Sequence, residues 1–421
     1  MRRQLASVAR EVLAEEPVLV VTGARQAGKT TMVRALAQAL GGTYMTFDEP
    51  DVLGAALADP AAIVRVEPGP LVIDEFQRAP GVVLAVKAAV DRRRSPGRFI
   101  LTGSTRFLSL PRLSESLAGR ASIMELWPFS VGETRGVRDG FVDDLLNGAT
   151  WEDEVRNEPT PYLELACRGG FSPIFDRPSP RGTRRWLQSY VTTVTQRDVL
   201  ELSRIRRSDD LVRVLKLAAA RTSGILNVSS LAADAGNMPV ATVTDYIALL
   251  ESVYLVHRVP AWSTNLSAKV ARHPKLHVSD TGLAAFLMGL DSMGAHARRA
   301  AAAGPLLETF VVNEIKKQLG WSEHDATLSH FRDRSGVEVD IILETRDGRV
   351  AAVEVKAGTR VDGSDVRGIE LLRDRLGDRF VQGVVLYTGT IAYKRSNRVS
   401  VLPMSHLWRA ARKRRGVKRG R

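Results

Sequence analysis

Hydrophobic positions in the first 130 residues fall in short unbroken runs, separated by stretches in which they recur every three or four places. The runs are Val18-Leu19-Val20-Val21, Leu71-Val72-Ile73 and Phe99-Ile100-Leu101, with Thr43–Phe47 and Ala121–Leu126 as more polar members of the set. Apolar runs of this length, rich in β-branched residues, predict buried strands, and the amphipathic stretches between them predict covering helices. Residues 1–131 therefore read as an α/β unit: a parallel sheet with helices on both faces.

The rhythm changes after Trp127-Pro128. Residues 132–185 are richer in Gly, Pro and charge, and residues 132–208 read as a helical or mobile connector. Residues 209–275 then have a helix-turn-helix pattern. Leu211, Val214, Leu215 and Ala218 share one helical face, Ser229–Ala235 reads as a short capped helix, Gly236–Pro239 as a turn, and Val240–Ser252 as a second helix. Alternation from Val253 to Val259 follows, as a wing would, so the region reads as winged-helix-like. Residues 276–408 predict a second, smaller α/β domain, with an amphipathic helix at Leu306–Ile315 and alternating strands at Val337–Ile341 and Val353–Lys356. Arg409–Arg421 is dense in Arg and Lys, contains no acid, and reads as a disordered basic arm.

The connection between the first predicted strand and its helix carries the strongest chemistry. Gly23-Ala24-Arg25-Gln26-Ala27-Gly28-Lys29-Thr30 satisfies G-x-x-x-x-G-K-[ST], with Thr31 continuing into the helix. The pattern predicts backbone N–H groups curled around phosphates, Lys29 on the β- and γ-phosphates and the Thr30 hydroxyl on Mg²⁺, with ATP as the nucleotide. Leu71–Glu75 is an apolar strand ending in two acids. Asp74 is expected to support the Mg²⁺ and Glu75 to polarise an attacking water. Thr102 and Ser104 end the next strand and are candidates to sense the γ-phosphate. Arg120 is a candidate arginine finger, acting on its own site or on that of a neighbouring copy, with Arg78 as the alternative. A finger acting on a neighbour implies a homo-oligomer.

Composition narrows the partners. Among 421 residues the formal charge is +13, which favours a polyanion, most simply DNA or another nucleic acid. The second helix of the winged-helix-like region has few basic residues, which weakens base reading by that helix. The single Cys167 excludes an internal disulfide framework and suits a reducing cytoplasm. No apolar run approaches the roughly 18 residues of a membrane span, and no signal-like apolar core follows Arg2-Arg3, so neither a membrane nor secretion is expected. The scattered histidines, His273 and His277 included, read as structural, and Ser279–Leu283 as a turn with a helix cap.

The last α/β segment holds a second candidate site. Glu338 and Asp340 share a strand face, as do Glu354 and Lys356. Register across the Asp347-Gly348 turn decides whether they meet. A two-residue turn puts Asp340 opposite Val355, whereas a three-residue turn with Gly348 left-handed puts it opposite Glu354. Converging carboxylates beside a lysine can bind Mg²⁺ and activate water against a phosphodiester. This arrangement resembles the PD-(D/E)XK nucleases, with Glu308 or Glu314 as the helix acid; the alternative is a surface hairpin bearing an ion pair.

Taken together, Gly23–Thr30, Leu71–Arg78, Leu101–Ser104, Leu117–Arg120, Val278–Leu283, Leu307–Glu314, Glu338–Asp340 and Val353–Lys356 resemble the bacterial and archaeal AAA-like P-loop ATPases that carry a C-terminal domain of unknown function. The resemblance runs from Glu16 to about Leu402. It implies an ATPase core with an additional strand, a winged-helix middle and a nuclease-like end. The expected function is a Mg²⁺-dependent ATPase coupled to nucleic acid. The alternatives are a nucleotide-gated adaptor for a protein partner, or an ATPase fused to an active endonuclease.

Overall fold

Strands β1 (Val18–Gly23), β2 (Thr43–Thr46), β3 (Leu71–Asp74), β4 (Phe99–Gly103) and β5 (Ala121–Leu126) form a parallel sheet in the order β2-β3-β4-β1-β5. They belong to a computed structural model of the chain that describes residues 1–65, 69–106, 115–151, 155–156, 158–177, 179–199, 208–263, 273–290 and 296–410. The apolar runs are buried on both faces, as their unbroken character requires. Val18, Val20, Ile73 and Leu101 pack toward Val82, Val83 and Val86 of helix Gly81–Arg92. Leu19, Val21, Val72 and Ile100 face the other way, toward Met32, Val33 and Leu36 of helix Lys29–Ala39 and toward helix Leu5–Glu15. Strand β4 lies between β1 and β3, so Val21, Thr102 and Asp74 stand side by side in register at the C-terminal edge of the sheet. Ligands of open parallel sheets bind at that edge.

The segment expected as a helical or mobile connector is helical in its described part and is packed into a core. The described residues between 131 and 199 hold packed helices, among them Phe141–Leu146, Tyr162–Arg168 and Pro180–Thr193, with a short strand at Val155–Arg156. Their Phe141, Tyr162, Phe171 and Tyr190 side chains lie in one hydrophobic core with the later helices and the C-terminal sheet. Ala24 and Ala27 of the glycine-rich loop belong to the same core.

Helices Ser208–Ala220, Val228–Asp234 and Val240–Ser252 follow, with Leu211, Val214, Leu215 and Ala218 buried as expected. The strand expected from Val253 begins later. Val253 caps the helix, Tyr254 has φ +61°, and β7 is Val256–Val259. Its antiparallel partner β8 (Lys275–Val278) is buried along its whole length and straddles the expected boundary at 275/276.

Strands β6 (Val155–Arg156), β9 (Ala326–Arg332), β10 (Glu338–Thr345), β11 (Val350–Lys356), β12 (Phe380–Tyr387), β13 (Ile391–Ser396) and β14 (Val399–Pro403) make a mixed sheet in the order β6-β13-β14-β12-β11-β10-β9. Helix His296–Leu319 covers one face and helix Gly363–Leu376 the other. Arg409 and Ala410, expected in the basic arm, are tied to the fold, since Arg409 accepts from the Gly140 N–H and Ala410 bridges to Asp139. Residues 411–421 of that arm lie outside the described residues. No described helix is long and apolar enough to cross a membrane.

Candidate active site

The loop between β1 and helix Lys29–Ala39 needs its glycines for different reasons. A Cβ on Gly23 would stand 2.1 Å from the carbonyl oxygen of Leu126 on β5, so the close approach of two strands forbids any side chain there. Gly28 has open space around it but adopts φ +90° as the residue before the helix. Among the described residues no side chain caps that helix, so its first-turn N–H groups, with the positive end of the dipole, face the loop. Lys29 is buried and donates from Nζ to the carbonyls of Gly23 at 2.9 Å and Ala24 at 3.0 Å. Its ammonium thus lies within the turn of the loop.

Across the sheet edge, Asp74 collects three hydroxyls. Thr30 Oγ1 donates to its Oδ2 at 2.7 Å, Tyr44 OH to the same oxygen at 2.8 Å, and Thr102 Oγ1 to Oδ1 at 3.0 Å. Burial first, and then Asp74, push the Tyr44 phenol up to about 12, which keeps it a donor. Glu75 sits in a left-handed conformation at φ +55°. Its Oε2 accepts from Gln77 Nε2 at 2.5 Å and, more weakly, from Ser104 Oγ at 3.4 Å. The hydroxyls of Thr102 and Ser104, expected on the γ-phosphate, are therefore turned to the two acids.

Of the two arginine candidates, Arg78 follows the end of β3 at this edge, whereas Arg120 lies at the opposite end of the sheet. Arg120 Nε pairs with Asp91 Oδ1 at 2.6 Å, and its Nη1 donates to the Ala118 carbonyl. It precedes Ala121, which pairs with Val18 at the start of β1. The phosphate loop begins at the far end of that strand, roughly 16 Å away at about 3.3 Å per residue. Arg120 thus stands at the opposite end of β1 from the phosphate loop of its own chain. Arg78 is held by the Phe47 carbonyl at 2.6 Å and by Asp48.

The second acidic centre assembles by the three-residue turn. Thr345 N–H donates to the Arg349 carbonyl, Gly348 takes φ +81°, and Ile341 faces Val353. One step further along that register sets Asp340 opposite Glu354, and Asp340 Oδ2 accepts from the Val355 N–H at 3.0 Å. Glu308 approaches from helix His296–Leu319. Glu314 does not, since it accepts from the Val131 N–H and pairs with Lys317 at 2.7 Å. Lys356 pairs with Glu354 at 3.0 Å and Asp365 at 3.2 Å. Burial first, and then the Asp340 charge, push both Glu308 and Glu354 up to about 8. Lys275 of β8 stands in the middle of the centre. Its Nζ lies 2.7 Å from Glu308, 2.6 Å from Glu338 and 3.1 Å from Asp340. Among the described residues no group of three or more His, Cys, Asp or Glu is arranged to hold a metal ion. Thr30 and Asp74 stand where they could hold a Mg²⁺ beside the phosphate loop, whereas the carboxylates of the second centre surround an ammonium.

The remaining motifs are structural. Asp280 caps helix Thr281–Leu287 through the Leu283 N–H and also accepts from the Gly170 N–H at 2.7 Å. His277 bonds Thr309, and His273 accepts at its carbonyl from His330.

Residues 15–135 match the AAA domain family, residues 160–294 a domain of unknown function (DUF8612), and residues 303–407 another domain of unknown function (DUF4143). The uncharacterized protein Rv2008c of Mycobacterium tuberculosis is 30% identical over 356 residues, which span 84% of this chain and 74% of that one, and the uncharacterized protein Mb2031c of Mycobacterium bovis matches to the same extent. The chain belongs to the AAA-like P-loop ATPase family with a C-terminal domain of unknown function. Among solved structures, the Walker-type ATPase PABY2304 of Pyrococcus abyssi is similar to this AAA-like chain at TM-score 0.41 and 14% identity, covering 68% of this chain and 95% of that one. The Thermotoga maritima RuvB Holliday junction branch migration motor follows at TM-score 0.28 and 19% identity, covering 61% and 88%.

Several residues of this ATPase-like site have no motif that announces them. Tyr44 and Gln77 reach the two acids from neighbouring elements. Tyr254 shares a 2.7 Å hydrogen bond with Thr22, the residue before Gly23, and donates to Glu125 at 3.3 Å. Ser172 Oγ donates to the Gln26 carbonyl inside the loop. The signal for Lys275 is a lysine at the start of a short strand whose neighbours are otherwise uncharged, and that for Glu338 is its shared strand face with Asp340.

Proposed function

We propose that this protein binds and hydrolyses ATP with Mg²⁺, and that the helical region following the ATPase sheet responds to the nucleotide. The observation that carries the reading is the convergence of Lys29, Thr30, Asp74 and Glu75 at one edge of the parallel sheet. Lys29, the N–H groups from Ala24 to Gly28 and those of Thr30 and Thr31 hold phosphates. Thr30 and Asp74 hold the Mg²⁺, whose charge offsets that of the phosphates. Glu75, oriented by Gln77 and Ser104, positions the water and takes its proton. Tyr44 and Thr102 hold Asp74 in place. ATP turnover by the purified chain, abolished in Lys29→Ala, tests this reading.

Nucleic acid is the proposed polyanionic partner, supported by the charge of +13. The exposed positions of helix Val240–Ser252 (Val240, Ala241, Thr244, Asp245 and Ala248) include no base, so binding through phosphates rather than reading by that helix is proposed. Binding to duplex DNA should fall steeply with salt, and removal of residues 411–421 should flatten the log–log slope by about 0.9 for each phosphate that the arm neutralises. An unchanged slope would make that arm a solubilising extension. The same bland helix face favours the adaptor alternative, in which a protein partner docks there. ATPase turnover stimulated by DNA decides for nucleic acid, and turnover indifferent to DNA decides for the adaptor.

Arg120 is proposed to act on a neighbouring copy. Arg120→Ala should bind ATP normally and hydrolyse it poorly, and mixing it with Lys29→Ala protein should restore part of the rate. Full activity of Arg120→Ala would reduce this residue to its pair with Asp91.

A further inference from the structure

The second centre pairs a nuclease-like set of acids with a lysine from outside the hairpin. An ammonium has three donors, and Lys275 has three carboxylate partners, Glu308, Glu338 and Asp340, at 2.6–3.1 Å. Each partner comes from the C-terminal domain, while Lys275 comes from β8. Its backbone is fixed by pairing with Val259 on one side and by a bridge to Ile225 on the other. Its side chain is 3% exposed. Three carboxylates outweigh the cost of burial and hold the ammonium above its ordinary pKa, so it stays charged. A divalent ion on the same oxygens would stand within hydrogen-bonding distance of this fixed positive charge, and the lysine has no solvent-facing position to retreat to. One further acid lies beside the cluster. Glu354 Oε2 is buried and has no hydrogen-bond partner among the described residues.

We propose that Lys275 is the resident cation of this centre, occupying the place that a divalent ion would need, so that the C-terminal domain binds no Mg²⁺ there and uses its acids to clamp β8 to the C-terminal sheet. Removal of the ammonium would leave Glu308, Asp340 and Glu354 as an oxygen-ligand set for a hard divalent cation.

The test is Mn²⁺ binding by the full chain without nucleotide, followed by electron paramagnetic resonance and calorimetry, which keeps its outcome separate from the ATPase reading. The chain with Lys275 intact should bind the same amount of Mn²⁺ as its Asp340→Asn variant, and should show no Mg²⁺- or Mn²⁺-dependent cleavage of linear or branched DNA. Lys275→Ala should gain one Mn²⁺ per chain, and Lys275→Ala/Asp340→Asn should lose it again. Lys275→Gln, similar in length and neutral, serves if the alanine variant does not fold. Asp340-dependent Mn²⁺ binding with Lys275 in place overturns the proposal, as does a folded Lys275 variant that gains no site. If neither variant folds, the comparison of the intact chain with Asp340→Asn still decides.

Discussion

Lys29→Ala is expected to weaken ATP binding by a factor on the order of 10²–10⁴. The ammonium lies inside the loop that would enclose the phosphates, against the carbonyls of Gly23 and Ala24. Hydrogen bonds from a charged donor contribute about 1.5–3 kcal/mol each, and two phosphates would be engaged. Alanine removes the charge and leaves the glycine-determined backbone intact, so the fold should persist while binding fails. Titration with a fluorescent ATP analogue measures the loss, and circular dichroism checks the fold. Wild-type affinity in the variant would remove Lys29 from the phosphate site.

Glu75→Gln should have the opposite signature, with nucleotide affinity kept and single-turnover hydrolysis slowed by about 10² or more. Glutamine keeps the length of the side chain and can still meet Gln77 and Ser104, but it cannot accept a proton from water. The left-handed backbone at Glu75 aims the side chain away from the course of β3, in keeping with a role separate from that of Asp74. Equal losses of binding and hydrolysis would mean that Glu75 shapes the site without activating water.

The ATPase sheet was legible because its central strands β1, β3 and β4 are buried on both faces and so write themselves as unbroken apolar runs. Val240–Ser252 was legible to the residue because Val243, Ile247 and Leu250 recur at helical spacing between a proline and a turn. The segment at 132–208 reads as a connector for the converse reason. Apart from Pro180–Thr193, its named helices run only four to seven residues, as in Ser172–Phe175 and Tyr162–Arg168, and are too short to display a period. Their anchoring aromatics are separated by glycines and prolines that read as loop. At the phosphate site the motif residues were legible, but Tyr44, Gln77 and Tyr254 act through proximity that only the folded chain creates. Arg120 directly precedes β5, and its distance from the phosphate loop becomes visible only once β5 is seen to run parallel to β1 with Ala121 beside Val18. At the second centre the turn chemistry of Gly348 foretells the register, yet Lys275 comes from a strand 65 positions before Asp340.

Ala24 and Ala27 have a consequence for how this chain can be divided. They face a core built from residues beyond 131, and Gln26 and Thr22 are held by Ser172 and Tyr254. A fragment ending at 131 would present the phosphate loop, with Trp127, to water on a face shaped for protein. Such a fragment should aggregate or bind nucleotide poorly even with every motif residue present. The ATPase motif is therefore contiguous in sequence while its folding unit is not, and an exchange of the first 131 residues between relatives would have to carry Ser172 and Tyr254 with it.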